Sequence, residues 1–243
     1  LYAIKMAQHT SECDYRFQSL LYEGEIILNL DHPNIPPAYN FGYKQGHAFL
    51  VMNFEQGVTL EEYVYHTTEY PLSEQLLSTW MLQLVDSLQY MGQEGYIYRD
   101  LKPQNLIVDN KRMVLLDFGL AMHHDYKHDS DEENLVGSPA YIPPERISSE
   151  PEDLRSDMYS MGMVLYFAAA GEDYFKGNNH RLIMEGHLNN ERTPISQLLP
   201  HLSPHFAGIM DRLIKTKPEE RYQDYGELYN DLMKSRVQLK PVT

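Results

Sequence analysis

Four stretches of the chain repeat apolar residues at the spacing of a helix. Leu20, Ile27 and Leu30 recur with Glu23 beside them, so a helix there would carry a carboxylate at the border of its apolar face. Ser73 precedes Leu76, Leu77, Trp80, Leu84, Leu88 and Met91. That pattern predicts a helix capped by the serine and ending near Gly92 or Gly95. The longest apolar run, Met161 to Ala170, predicts a buried helix with Asp157 or Ser156 capping its start and Gly171 its end. It is well short of the roughly 20 residues that span a bilayer. Leu228, Leu232 and Met233 put a last helix over roughly Tyr225 to Val237, followed by a linker start at 238–243.

Shorter apolar runs read as strands. Leu106-Ile107-Val108 and Met113 to Leu116 form a predicted hairpin, turning at Asp109-Asn110. Phe49 to Asn53 reads as a strand before a turn at Gln56-Gly57, and Leu1 to Lys5 as a strand met midway. Residues 1 to about 54 are therefore strand-rich, and residues from about 58 onward mainly helical. The pattern is α+β, with no internal repeats.

Composition narrows the partners. The 243 residues are 42% hydrophobic and 12% aromatic, enough for a full core. A formal net charge of −15 disfavours nucleic acid or an anionic membrane as a partner. Cys13 is the only cysteine, so no internal disulfide can form, and a reducing, cytoplasmic compartment fits.

The chemistry lies in Tyr98-Arg99-Asp100-Leu101-Lys102-Pro103-Gln104-Asn105, with Asp117-Phe118-Gly119 beginning twelve residues after Asn105. Phosphoryl transfer needs positioning and charge neutralisation more than covalent help. Asp100 suits a proton acceptor and Lys102 a charge neutraliser. Asn105 and Asp117 offer hard oxygen ligands of the kind Mg2+ prefers. The predicted hairpin would bring these two to one end.

At these residues the chain resembles the eukaryotic-like protein kinase family, whose signature is His-Arg-Asp-Leu-Lys-Pro-x-Asn followed by Asp-Phe-Gly. Tyr98 stands in place of the commoner His, and Lys102 resembles the serine/threonine branch. The resemblance implies a two-lobed fold. Its small β-rich lobe covers 1–54 and is incomplete. A hinge follows at 55–57, and a mainly helical lobe covers 58–237.

Further matches assign roles by the same resemblance. Ala3-Ile4-Lys5 resembles the strand motif whose lysine holds the α- and β-phosphates of ATP. Glu23, nine residues before His32-Pro33-Asn34-Ile35, would pair with Lys5, with Glu25 as the competitor. Met52 would be the gatekeeper beside adenine, and the backbone of Asn53 and Glu55 would bond the base. Ala3 and Ile107 would form its roof and floor. Gly137-Ser138-Pro139-Ala140-Tyr141-Ile142-Pro143-Pro144-Glu145 resembles the substrate-docking segment. There Ser138 would bridge Asp100 and Lys102, and Glu145 would pair with Arg221. Tyr159 replaces the usual Trp at the start of the long buried helix.

The implied activity is a serine/threonine protein kinase using ATP and Mg2+ on protein hydroxyls. The alternative is a pseudokinase acting as a nucleotide-binding or scaffold module. A small-molecule kinase fits less well, because a small substrate needs no peptide platform. No glycine in the chain is placed to serve as the family's glycine-rich loop. The expectation is a chain truncated upstream of Leu1 that binds nucleotide poorly. The loop from His123 to Glu133 reads as a mobile activation loop rather than a metal site. Either Ser130 there is a phosphorylation site, with Arg99 receiving the phosphate, or the loop is a solvated acidic segment. Oligomeric state is not legible.

Overall fold

The structure is a computed structural model that describes residues 1–8, 15–68, 70–124, 138–177, 179–189 and 192–238, the side chains of 235–238 excepted. Cys13, Gly137, the loop from 125 to 137 with Ser130, and the tail from 239 lie outside the described residues.

The first part of the chain is a three-stranded antiparallel sheet. Strands β1 (Tyr2–Gln8) and β2 (Ala38–Lys44) flank the central β3 (His47–Asn53). Alternation in β3 buries Ala48, Leu50 and Met52. Helix α1 (Tyr15–Ile27) crosses this sheet and buries Phe17, Leu20, Glu23, Ile26 and Ile27. Gly24 brings α1 against the sheet, because a Cβ there would lie 2.4 Å from the Phe41 ring.

Helices dominate after β3. Strand β4 (Val58–Thr59) leads into α2 (Leu60–His66), which Thr59 and Glu62 start with a reciprocal capping box. Ser73 caps α3 (Glu74–Gln93) as expected, and Gly95 follows with φ +88°. β5 (Tyr96–Ile97) comes next, then the hairpin β6 (Leu106–Asp109) and β7 (Arg112–Leu115), which turns through Asn110-Lys111, one residue later than predicted. Beyond it lie β8 (Met122–His123), α4 (Pro144–Ile147), α5 (Leu154–Ala170), α6 (His180–Leu188), α7 (Ile195–Leu198), α8 (Pro204–Leu213) and α9 (Tyr225–Gln238). α9 buries Leu228 and Leu232, but Met233 is 38% exposed and so lies off the packed face.

α5 is buried on every side from Ser156 to Ala169, as an all-round apolar helix must be. It packs against α3 and α8. Gly162 permits the α8 contact, since a Cβ there would lie 2.6 Å from Ile214. Gly171 ends α5 in the left-handed conformation, as predicted. The start differs from the prediction: Asp153 is the cap, accepting from the Arg155 N–H. Ser156 and Asp157 lie inside the first turn, where both are buried and bonded to other segments. Among the described residues no helix is long and apolar enough to cross a membrane.

Candidate active site

The segment from Tyr98 to Asn105 runs from β5 to β6 and is held from beneath by α5. Asp157 accepts the backbone N–H groups of Tyr98 and Arg99, each at 2.8 Å. Burial pushes its carboxyl up to about 6 against those two bonds. Arg99 sits at φ +70°, a conformation that persists only where neighbours fix it.

Asp100 follows, 8% exposed. Its Oδ2 accepts from Lys102 Nζ at 2.7 Å and from Asn105 Nδ2 at 2.8 Å. Burial raises the carboxyl above its usual range, and Lys102 and Asn105 pull it part of the way back. Among the described residues Oδ1 of Asp100 has no hydrogen-bond partner. Asn105 also donates to the Asp100 carbonyl at 3.0 Å, and its own Oδ1 has no hydrogen-bond partner among the described residues.

The hairpin places the second acidic group. Leu106 pairs with Leu115, and the Leu116 N–H donates to the Asn105 carbonyl at 2.8 Å. Asp117 therefore leaves β7 at the same end as Asn105, as predicted. It takes φ +61°, and its side chain is 46% exposed. Phe118 is fully buried against Tyr98, ring to ring at 5.6 Å. The Tyr98 ring thus packs in the core, and its hydroxyl donates to the Leu116 carbonyl.

Lys5 and Glu23 meet from β1 and α1. Lys5 Nζ lies 2.6 Å from Glu23 Oε1 and 3.5 Å from Asp117 Oδ1. Glu25 is exposed, which settles the choice between the two glutamates. Burial raises the Glu23 carboxyl, with Lys5 opposing. Glu23 Oε1 also accepts the Phe118 N–H at 3.2 Å, and Ser19 donates to the Gly119 carbonyl. α1 is therefore tied directly to Asp117-Phe118-Gly119.

Met52 is buried opposite Ala3 in the β1–β3 register, and Ile107 lies opposite Val114. Ala3 and Ile107 are each partly exposed. The Asn53 N–H is spent on the Pro37 carbonyl at 2.8 Å, so only its carbonyl remains for a ligand from that residue. The Glu55 N–H has no backbone acceptor among the described residues. The Glu55 side chain bonds Asn53 at 3.0 Å and Arg112 of β7 at 2.6 Å. Gly57 then turns at φ +121°, where a Cβ would lie 2.3 Å from the Val108 carbonyl oxygen.

The Ser138–Glu145 segment is anchored to the helices. Glu145 and Arg221 form a two-pronged pair, both bonds 2.8 Å, with Arg221 fully buried. Ser160 bonds the Tyr141 carbonyl, and Tyr141 donates to Asp173 at 2.6 Å. Ser138 departs from expectation: among the described residues no hydrogen bond joins it to Asp100 or Lys102, which bond each other instead. A groove of about 410 Å3 runs here, lined by Glu61, Gln104, Ser138, Tyr141 and Asp173 among others.

The residues gathered at Asp100 and Asp117 are the ones the sequence pattern singled out, and the whole chain agrees with the pattern. A family model described as a protein kinase domain matches residues 1–234. The chain belongs to the protein kinase family.

The kinase domain is similar to the human serine/threonine-protein kinase ULK3, at 31% identity over 92% of this chain and 47% of that protein. The ULK3 of Xenopus laevis is 28% identical over 95% of this chain and 49% of its own length. Serine/threonine-protein kinase PknB of Mycobacterium leprae is 29% identical over 87% of this chain and 35% of its own. The chain thus spans about half, or less, of the length of these curated relatives.

Three residues that hold the kinase site were not singled out from sequence for the parts they play. Asp157 was read as a helix cap. Asn34 is buried and donates to the Met113 carbonyl at 2.6 Å, while its carbonyl accepts the Leu115 N–H at 2.8 Å, so it fastens β7. His187 is buried between the Tyr159 hydroxyl at 2.7 Å and the Pro139 carbonyl at 2.9 Å. Burial holds its imidazole down at about 3, so it is neutral and donates through one nitrogen. The Tyr at position 159 marked a departure from the family pattern, and this bond is its counterpart.

Proposed function

We propose that this kinase domain transfers the γ-phosphate of ATP to serine or threonine hydroxyls of protein substrates, with Mg2+ as cofactor. The observation that carries the reading is the joining of Lys5, Glu23 and Asp117 by ion-pair contacts next to the bonded trio Asp100, Lys102 and Asn105. The names of the relatives support the choice of serine and threonine.

The donor set suits Mg2+. Asp117 and the open Oδ1 of Asn105 offer two hard oxygens, too few for an all-protein cage, and Mg2+ usually completes its shell with phosphates and water. When bound, it neutralises charge along the phosphates. Lys5, aligned by Glu23, would hold the α- and β-phosphates. The Asn53 carbonyl and the Glu55 N–H would bond the base, with Met52, Ala3 and Ile107 around it. Residues 55–57 would be the hinge.

Asp100 would take the proton of the attacking hydroxyl on its free Oδ1. The hydroxyl oxygen forms the new bond to phosphorus as the bond to the ADP oxygen breaks. Lys102 steadies the transferred group. Acidic Glu61 and Asp173 in the adjoining groove favour basic protein substrates. The lone cysteine extends the proposal to a cytoplasmic setting.

The test is transfer of labelled γ-phosphate from Mg-ATP to myelin basic protein, with Asp100→Asn as control. Labelled phosphoserine or phosphothreonine that vanishes in the control is expected. A folded protein that binds nucleotide and transfers nothing would instead favour the scaffold alternative.

A further inference from the structure

Arg99 precedes Asp100 in the chain and is the residue from which sequence suggested a phosphate receiver. Its side chain is only 9% exposed and is already engaged. Glu152, from the segment between α4 and α5, is 4% exposed and lies between two guanidinium groups. Its Oε1 accepts from Arg99 Nε at 3.0 Å and makes an ion-pair contact with Arg99 Nη2 at 2.9 Å. Its Oε2 accepts from Arg146 Nε at 2.9 Å and Nη2 at 2.6 Å. Arg146 closes the ring by donating Nη1 to the Arg99 carbonyl at 2.8 Å.

Two guanidinium forks facing one buried point are a receptor for an oxyanion, and such charge-assisted forks are the strong form of hydrogen bond. Here the oxyanion comes from within the chain. Burial alone would raise the Glu152 carboxyl, but the two arginines outweigh it and hold it below the usual range. Without this carboxylate, Arg99 and Arg146 would lose the buried anion that they share. Arg99, at φ +70°, would lose the side-chain anchor that complements its backbone bond to Asp157.

We infer that Glu152 is a positioning residue for catalysis: it holds Arg99, and through it Asp100, in place of a phosphate, so that transfer needs no phosphorylation of the kinase itself. The inference rests on the kinase activity proposed above. It differs from the sequence expectation for Arg99, because the receiving site is filled.

The experiment starts from protein treated with phosphatase and shown by intact mass to carry no phosphate. Initial rates of transfer to myelin basic protein are measured before and after autophosphorylation. The expected result is a rate without lag, equal within about twofold in both states. Glu152→Gln, uncharged and nearly isosteric, is expected to lose tenfold or more in kcat with KM for ATP unchanged, and to regain part of it on autophosphorylation. Loss of a merely structural support would not create that dependence on phosphate. A lag in the unphosphorylated wild type that autophosphorylation removes would overturn the inference and leave the kinase reading intact. An unchanged kcat in Glu152→Gln would do the same. No transfer by the wild type in either state would overturn the kinase reading, and the inference with it. The wild-type arm decides even if the variant does not fold.

Discussion

The two sides of the site are built to different standards. On the Asp100 side, among the described residues, polar groups rest on one another: Asp157 on the backbone, Glu152 on two arginines, Asn105 and Lys102 on Asp100. Asp100, Asn105, Asp157 and the side chain of Glu152 are all buried, and α5, which carries Asp157, is itself core. The Lys5 side stands on a three-stranded sheet whose β1 exposes Tyr2, Ile4 and Met6 by more than 60% each. Its main polar link is the Lys5–Glu23 pair, and Lys5 and Asp117 remain 35% and 46% exposed. A proton acceptor, the part proposed for Asp100, loses rate with a small displacement, which would account for its over-determined support. Groups that bind phosphate and metal, the part proposed for Lys5 and Asp117, are completed by the ligand and can stay open.

This contrast can be broken from the scaffold first. Arg221→Met leaves the buried Glu145 carboxylate without its cation, with only the Ser156 hydroxyl, among the described residues, still bonded to it. It should cost about 3–5 kcal/mol of stability, read from the urea midpoint. Unchanged stability would mean that the helical side is not the rigid one. A smaller effect is expected from Asp157→Asn, which turns an amide toward one of the two backbone N–H groups. Bonds to a charged group are each worth about 1.5–3 kcal/mol. The Asp100 side should loosen, with kcat falling more than KM for ATP rises.

The smallest effect sharpens the comparison through pH. Lys102 lowers the Asp100 carboxyl, so removing it raises that group further. Asp100 must be ionised to accept a proton. The acid limb of the kcat profile should therefore move to higher pH in Lys102→Met, apart from any loss in rate. A limb that stays fixed or moves down would show that Asp100 does not set it.

The residues proposed to touch reacting groups were legible because the chemistry dictates both their type and their spacing. The structure gathers Lys5, Asp100, Lys102, Asn105 and Asp117 together, and the choice of Glu23 over Glu25 followed from its spacing to His32. The supports were not legible. Asp157 at the head of a helix looks like a cap, since capping and buried acceptor roles call for the same side chain. Glu152 is one acid among Glu150, Glu152 and Asp153, and only the fold brings two arginines to it. Glu55 was read for its backbone alone, because its partner Arg112 lies 57 residues away. The Ser138 bridge is not formed among the described residues, where Lys102 bonds Asp100 directly.

The most direct test of this division of labour is nucleotide affinity and transfer rate measured together on Asp100→Asn and Lys5→Met. The account predicts that Asp100→Asn keeps the wild-type Kd for Mg-ATP while kcat falls by about 10²–10⁴, the usual worth of a positioned base. Lys5→Met should weaken Mg-ATP binding as well. Asp100→Asn that binds nucleotide as poorly as Lys5→Met, or that still transfers phosphate at the wild-type rate, would contradict it.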